Sequence, residues 1–163
     1  MALDKKKQYI SERRVARKLA LIAIYQWQMT DNTYEDIYMG LLEDKDLSKD
    51  MKKADMAFFQ ALTKCALEKT EKIDAAFAPF LDRKAEHLDQ IELAVLRLAS
   101  CELMNQPEVP YQVIVNESLN LTKKFGADQA HKFINGVLDK VGNTLRPDEK
   151  TTKKTDSNKK EIK

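Results

Sequence analysis

Four cationic side chains and one aromatic side chain near the start of the chain have the types and spacing needed to bind nucleic acid. At about 100° per residue, the cations occupy about 140° of arc, and the aromatic residue follows on the same side two turns later. Such cations can neutralise phosphates, and a neighbouring ring can stack on an unpaired base, as recognition of single-stranded RNA usually requires. The alternatives are a solvated helix face for the charges and a partly buried position at the core edge for the ring. The residues are Arg13, Arg14, Arg17, Lys18 and Tyr25.

The sequence offers little for catalysis or metal binding. Its two histidines are His87 and His131, and neither stands near a serine or cysteine in a recognisable nucleophile motif. Cys65 and Cys101 are far apart, with no CxxC pair and no histidine at the spacing of a metal site. There is no glycine-rich loop of the kind that cradles phosphates. We therefore predict a protein that is not an enzyme and that holds no metal or other cofactor.

The cysteines and the apolar runs indicate where the protein works. Unpaired cysteines of this kind are usually small buried hydrophobes, which indicates a reducing compartment. No apolar run approaches the roughly 20 residues of a membrane span, and the basic N-terminus is not followed by the apolar core of a secretory signal. The sequence predicts a cytoplasmic protein without a membrane partner.

Charge is distributed unevenly along the 163 residues, whose formal total is only +2. Residues 1–20 carry seven cations against two carboxylates, a net charge of +5. Residues 31–56 carry eight carboxylates against four lysines, a net charge of −4. The residues from 146 onward return to +3, with seven cations against four carboxylates. The small total therefore does not exclude a polyanionic partner.

The elements that must position these residues are helices. Only four glycines and four prolines occur, and long stretches without them are rich in strong helix formers. Gly126 is expected to stop a helix in the left-handed conformation, and residues 43–50 are expected to form a polar loop. We predict an all-α protein of about seven helices, in two small bundles that share a core. The predicted helices lie at about 11–29, 33–42, 51–69, 87–105, 110–125 and 128–141, with an apolar face continuing over 73–81.

The predicted domain organisation has three parts. Residues 1–10 form a flexible basic arm, and residues 148–163 form a disordered Lys-rich tail, in which Ile162 is the only apolar residue. Residues 11–147 form one helical domain, with sub-bundles at about 11–80 and 81–147.

Four motifs in this domain resemble those of the NusB family in both order and spacing. Each is weak alone, but the four together cover roughly residues 11–147 and make the resemblance specific. They are residues 13–20 with 23–28, residues 92–99 with 102–103, residues 109–111 with 115–117, and residues 125–127 with 131–140.

The resemblance implies a seven-helix fold of two bundles and a function in transcription antitermination. A member of this family is expected to bind the boxA element of nascent ribosomal RNA as a single strand, together with the small ribosomal protein NusE. It is expected to join RNA polymerase and other Nus factors and to promote passage through terminators. A homodimer is compatible with the same sequence.

The resemblance also carries roles onto particular residues. It implies RNA contacts at Arg13, Arg14, Arg17 and, by position, Tyr25. Lys18 is expected to compensate for a valine at 15, where family members often have arginine. Near the C-terminal motif, Lys132 and Phe133 match positions close to the RNA, although the spacing of Phe133 from Val137 also suits a core residue. Glu92 and Arg97 match the helix that faces NusE.

Two further hypotheses belong to other classes. One is a non-catalytic RNA-binding accessory domain, because NusB-like domains also precede methyltransferase domains in ribosomal RNA methylases. The other is a helical adaptor that uses the acidic residues 31–56 as its binding face. Loss of RNA binding with partner binding intact would favour the adaptor.

Overall fold

A computed structural model describes residues 2–150, and within this range the secondary structure is helical, without a strand. The all-α prediction is confirmed, and the eight α-helices agree with the expected number of about seven. Two 3₁₀ turns, Ala78–Phe80 and Ala85–His87, lie between α5 and α6. The α-helices are α1 (Ala2–Thr30), α2 (Tyr34–Glu43), α3 (Lys45–Lys53), α4 (Met56–Glu68), α5 (Thr70–Phe77), α6 (Gln90–Asn105), α7 (Tyr111–Phe125) and α8 (Ala130–Leu145).

Helix α3 occupies residues for which a loop was predicted, so the prediction for residues 43–50 is wrong. The Asp44 carboxylate caps the helix by accepting the backbone N–H groups of Asp46 and Leu47. Leu47 and Met51, four residues apart, pack on the core and give this short polar segment an apolar side. A cap and one apolar pair are enough because packing, rather than propensity, supplies most helix stability.

Helix α1 begins at Ala2, whereas the sequence predicts a helix that starts at Ser11 and a flexible arm before it. The residues from 2 to 10 are all exposed, so they extend the helix without adding to the core. No glycine or proline stands before Ser11, and alanine, leucine, lysine and glutamine all favour helix. The Gln8 side chain donates to the Glu12 carboxylate at 2.9 Å, an i, i+4 contact across the predicted boundary.

The end of the described chain also differs from the predicted boundary. Helix α8 continues to Leu145, and residues 147–150 form another helical turn. Arg146 between them is buried, and its guanidinium donates to three backbone carbonyl groups. The remainder of the predicted tail, residues 151–163, lies outside the described residues.

Helix α7 ends at Phe125 as predicted, but the reason differs from the one expected. Gly126 has φ −87° and ψ 174°, an extended rather than a left-handed conformation. A Cβ at this position would lie 2.7 Å from the Thr122 carbonyl oxygen. Glycine is required here for close approach of the backbone, not for a positive φ.

Helix α6 lies at the centre of the fold and packs against α1, α4, α5, α7 and α8. Its residues 93–96 and 98–103 are all buried. One continuous cluster of buried apolar side chains includes members from α1 to α8, so the two parts of the chain share a core as predicted. The division at residue 80 stays a prediction. None of the helices between residues 2 and 150 is long and apolar enough to cross a membrane.

Candidate nucleic-acid interface

The cations of α1 differ sharply in exposure, although all four come from one short stretch. The Arg14 side chain is 59% exposed, Lys18 is 24% exposed, Arg13 is 16% exposed and Arg17 is only 6% exposed. Each of them has a carboxylate partner within the fold. These partners decide which cations can meet a ligand.

Arg17 is a buried link between α1 and α6. Its Nε and Nη2 atoms bind the two oxygens of Glu102 at 2.9 and 2.6 Å, and Glu102 is 2% exposed. A bidentate pair of this kind fixes both side chains. It occupies the Nε–Nη2 edge of the guanidinium, which could otherwise donate to a phosphate. Arg17 therefore joins α1 to α6 and is poorly placed to reach a ligand, and its predicted RNA contact stays a prediction.

Arg13 is held against aromatic rings. Its guanidinium carbon lies 4.0 Å from the centroid of the Phe58 ring and 4.8 Å from that of Tyr9. Its Nε lies 3.5 Å from the nearest Asp55 carboxylate oxygen, an ion pair without a hydrogen bond. Cation–π contacts with both rings hold the planar group in place. Arg13 is therefore less available to a ligand than its position in the sequence predicts.

Arg14 and Lys18 line an open groove of about 410 Å³ between α1 and α7. Arg14 Nε donates to Glu117 at 2.9 Å, and Lys18 Nζ donates to Asp50 at 2.6 Å. The groove also receives Lys124 from the last turn of α7, a cation that the sequence analysis did not select. The sequence feature that could have identified Lys124 is the pair of consecutive lysines, Lys123 and Lys124, near the end of the predicted helix. The full lining is Arg14, Val15, Arg17, Lys18, Glu117, Asn120, Leu121 and Lys124.

Tyr25 is half-buried and packs against the core, which agrees with the alternative interpretation of its ring as a partly buried residue at the core edge. Lys132 and Phe133 are on α8, which packs mainly against α6 and α7. Lys132 is exposed, and Phe133 is half-buried with the Arg83 guanidinium 5.8 Å from its ring centroid. Arg83 was missed because it precedes a turn and belongs to no helical face. The structure thus places an aromatic ring and an exposed cation together at a second location.

Glu92 and Arg97, the predicted partner-binding residues, lie in different surroundings on α6. Burial raises the pKa of the Glu92 carboxyl, the Asp89 carboxylate adds to the rise, and the Arg83 cation opposes it. Arg97 is 12% exposed and binds both oxygens of Asp74, each at 2.9 Å. Its remaining donor reaches Gln28 at 3.1 Å. Glu92 is half-buried and close enough to Arg83 for its charge to act on the carboxyl, whereas Arg97 joins α6 to α5 and α1.

Comparison with known proteins places this arrangement in a family. The NusB family model matches residues 14–143. The transcription antitermination protein NusB of Alteromonas mediterranea is 48% identical over 141 residues, which is 86% of this chain and 98% of that protein. The protein of the same name from Idiomarina loihiensis is 48% identical over 135 residues, which is 83% of this chain and 94% of that protein.

Solved structures give the same result. NusB of T. maritima matches with a TM-score of 0.70 and 26% identity, over 86% of this chain and 96% of that one. A crystal structure of antitermination factors NusB and NusE in complex with dsRNA shares the fold, with a TM-score of 0.67 and 23% identity over 80% of this chain and 96% of that one. The relatives from Alteromonas mediterranea and Idiomarina loihiensis are both named as transcription antitermination proteins and not as enzymes, in agreement with the prediction. This chain belongs to the NusB family of transcription antitermination proteins.

Proposed function

We propose that this protein binds boxA-type leader sequences of ribosomal RNA as single strands, together with NusE. It acts in the cytoplasm with RNA polymerase and other Nus factors and promotes passage through terminators. The observation that carries the RNA-binding part is the groove between α1 and α7, where Arg14, Lys18 and Lys124 come together. The name of the curated relatives supports a role in antitermination, and the NusB–NusE–dsRNA complex of a protein with this fold supports binding of RNA together with NusE.

The ion pairs in the groove suit exchange with phosphate. Arg14 is held by Glu117, which also lines the groove, and Lys18 is held by Asp50 on α3. Exposed and partly exposed ion pairs contribute little to stability, typically below about 1 kcal/mol. A phosphate can therefore replace either carboxylate at little cost to the fold. The groove supplies affinity for the backbone, which carries no sequence information by itself.

Specificity requires contacts with bases, and the second location supplies the chemistry for them. Phe133 offers a half-exposed ring, and Arg83 offers both a cation and a planar surface for stacking. Lys132 beside them is exposed and can bind a neighbouring phosphate. We propose that one RNA segment follows the groove and that its bases reach the Phe133 side of the molecule.

Replacing both Arg14 and Lys18 with Gln should weaken RNA binding and flatten its dependence on salt. If each cation neutralises one phosphate, the log–log slope should fall by about 1.4, because each phosphate contact to a single strand contributes about 0.7. Electrophoretic shifts at several salt concentrations measure this slope. The matched control replaces Lys69 and Lys72, two exposed lysines at the α4–α5 junction, with Gln.

The RNA probes distinguish the parts of the proposal. A boxA-like strand, a scrambled strand and a duplex of the same length should be compared in the same titration. Tighter binding of the boxA-like strand is expected. An unchanged slope in the Arg14/Lys18 variant would remove the groove from the interface, whatever the preferred RNA.

Adding NusE should tighten RNA binding, because two partial surfaces joined in one complex present a larger site. Replacing Glu92 with Lys should reduce this gain, since Glu92 is a predicted partner-binding residue and, unlike Arg97, has no ion pair within residues 2–150. The same shift assay with and without NusE measures the gain. Glu35→Gln, an exposed change within the acidic residues 31–56, is the control. If the Glu35 variant loses the increase in RNA affinity that NusE provides, and the Glu92 variant keeps it, the helical-adaptor hypothesis is favoured.

A further inference from the structure

The first turns of α1 form an exposed helical extension ahead of the residues that match the family. We define the extension as residues 2–10, all of which are exposed. The family model begins only at residue 14. Three consecutive lysines, Lys5, Lys6 and Lys7, are the dominant charges of the extension, with Asp4 as its carboxylate. The extension therefore continues α1 beyond the core with a net charge of +2, and it also exposes the apolar side chains of Leu3, Tyr9 and Ile10.

The lysines of the extension differ from the cations of the groove in one respect. Each groove cation on α1 has a carboxylate partner, including Glu117 for Arg14 and Asp50 for Lys18. Within residues 2–150, no ion pair joins Lys5, Lys6 or Lys7 to a carboxylate. A polyanion meets these charges without first displacing an internal partner.

The position of the lysines does not serve the stability of the helix. They stand in the first two turns of α1, where the helix dipole already presents positive charge. Three adjacent cations also repel one another. Since neither the dipole nor an ion pair favours them there, an external anion is the partner that their charge fits.

Lys7 lies on the same side of α1 as Arg14 and Lys18. The intervals of seven and four residues return each side chain to one face of the helix. At about 1.5 Å per residue, the three cations form a row about 16 Å long that ends in the groove lined by Lys124. The row is continuous because α1 runs from residue 2 to residue 30 as one helix.

We propose that the extension is a phosphate-binding arm that prolongs the RNA interface beyond the groove. The inference rests on the proposed RNA-binding function. Lys7 continues the row of Arg14 and Lys18, and Lys5 and Lys6 bind flanking phosphates on the neighbouring sides of the helix. RNA is favoured over an acidic protein surface because a strand with evenly repeated charge follows a row of cations that runs into a basic groove.

The test replaces Lys5, Lys6 and Lys7 together with Gln, in the full-length chain. Glutamine is a good helix former, so the extension should remain helical, which circular dichroism can check. The log–log slope of binding to the boxA-like strand should fall by about 2 if each lysine neutralises one phosphate. The matched control replaces three exposed lysines elsewhere, Lys69, Lys72 and Lys140, with Gln and should leave the slope unchanged.

The possible results of this test separate the inference about the extension from the proposed RNA-binding function. If the original chain binds the boxA-like strand and the triple variant keeps its slope, the extension inference fails while the proposed function stands. If the original chain binds no RNA with or without NusE, both fall together. If the triple variant loses affinity for NusE but keeps its RNA slope, the extension contacts protein instead, and the inference is overturned.

Discussion

Replacing Glu102 with Ala should lower the free energy of unfolding by about 3–5 kcal/mol, a large part of the stability of a domain of this size. The change removes the partner of Arg17, whose guanidinium then remains buried between α1 and α6 without a counter-charge. A buried cation without a partner is far more costly than a buried pair. Urea unfolding followed by the fluorescence of Trp27, the single tryptophan, measures the loss.

Two further variants separate the charge effect from simple loss of packing. The double variant Arg17→Met with Glu102→Leu removes both charges and keeps apolar volume, so it should recover most of the loss. Arg14→Ala breaks an ion pair with an exposed arginine and should cost less than about 1 kcal/mol. If Glu102→Ala costs no more than Arg14→Ala, the structural role assigned to the Arg17–Glu102 pair is incorrect.

Replacing Arg146 with Ala should lower the free energy of unfolding by about 3 kcal/mol, because it removes the donor from the buried carbonyl groups of Leu103 and Val109, whereas the Gln106 carbonyl keeps the backbone N–H of Val109. The guanidinium donates to the carbonyl oxygens of Leu103, Gln106 and Val109 at 3.1, 3.0 and 3.0 Å. These three residues lie at the end of α6 and in its connection to α7. Arg146 therefore holds the connection against the end of α8, and thermal or urea unfolding should report its loss.

The hydrogen-bonding geometry of the Arg146 guanidinium can be tested separately from its charge. Arg146→Lys keeps the charge but offers only one nitrogen, so it should recover a minor part of the lost stability. Lys140→Ala, on the exposed side of α8, is the control and should change stability by less than about 0.5 kcal/mol. Full recovery by lysine would show that charge alone, and not three directed hydrogen bonds, is what the site requires.

Most of the helices follow from local sequence. Stretches without glycine or proline predicted them, and the prolines at 107 and 110 correctly separated α6 from α7. The failures are also local in origin. Helix α3 is short and polar, so its two apolar contacts were too few to show a period. The turns before Ser11 have good helix formers, but their apolar side chains stay exposed, and a segment with three consecutive lysines also fits a flexible arm.

The candidate site was less predictable because exposure depends on partners that are distant in sequence. Arg14 and Arg17 are close in the sequence, yet one faces solvent and the other is paired with a residue 85 positions away. Nothing local identifies Glu102 as that partner. Lys124 and Arg83 were missed for the same reason, since the fold alone brings them beside Arg14 and Phe133.

The unbroken course of α1 has a consequence for how its cations can vary. Because α1 continues as one α-helix from residue 2 to residue 30, the angular position of each side chain around the axis follows from its residue number. An insertion or deletion of one residue between Lys7 and Arg14 would rotate the lysines by about 100° relative to the groove. A change of seven residues would leave the phase within about 20°. The number of residues between Lys7 and Arg14 therefore sets the alignment of the lysines with the groove. Substitutions between them preserve this alignment, whereas most changes in length do not.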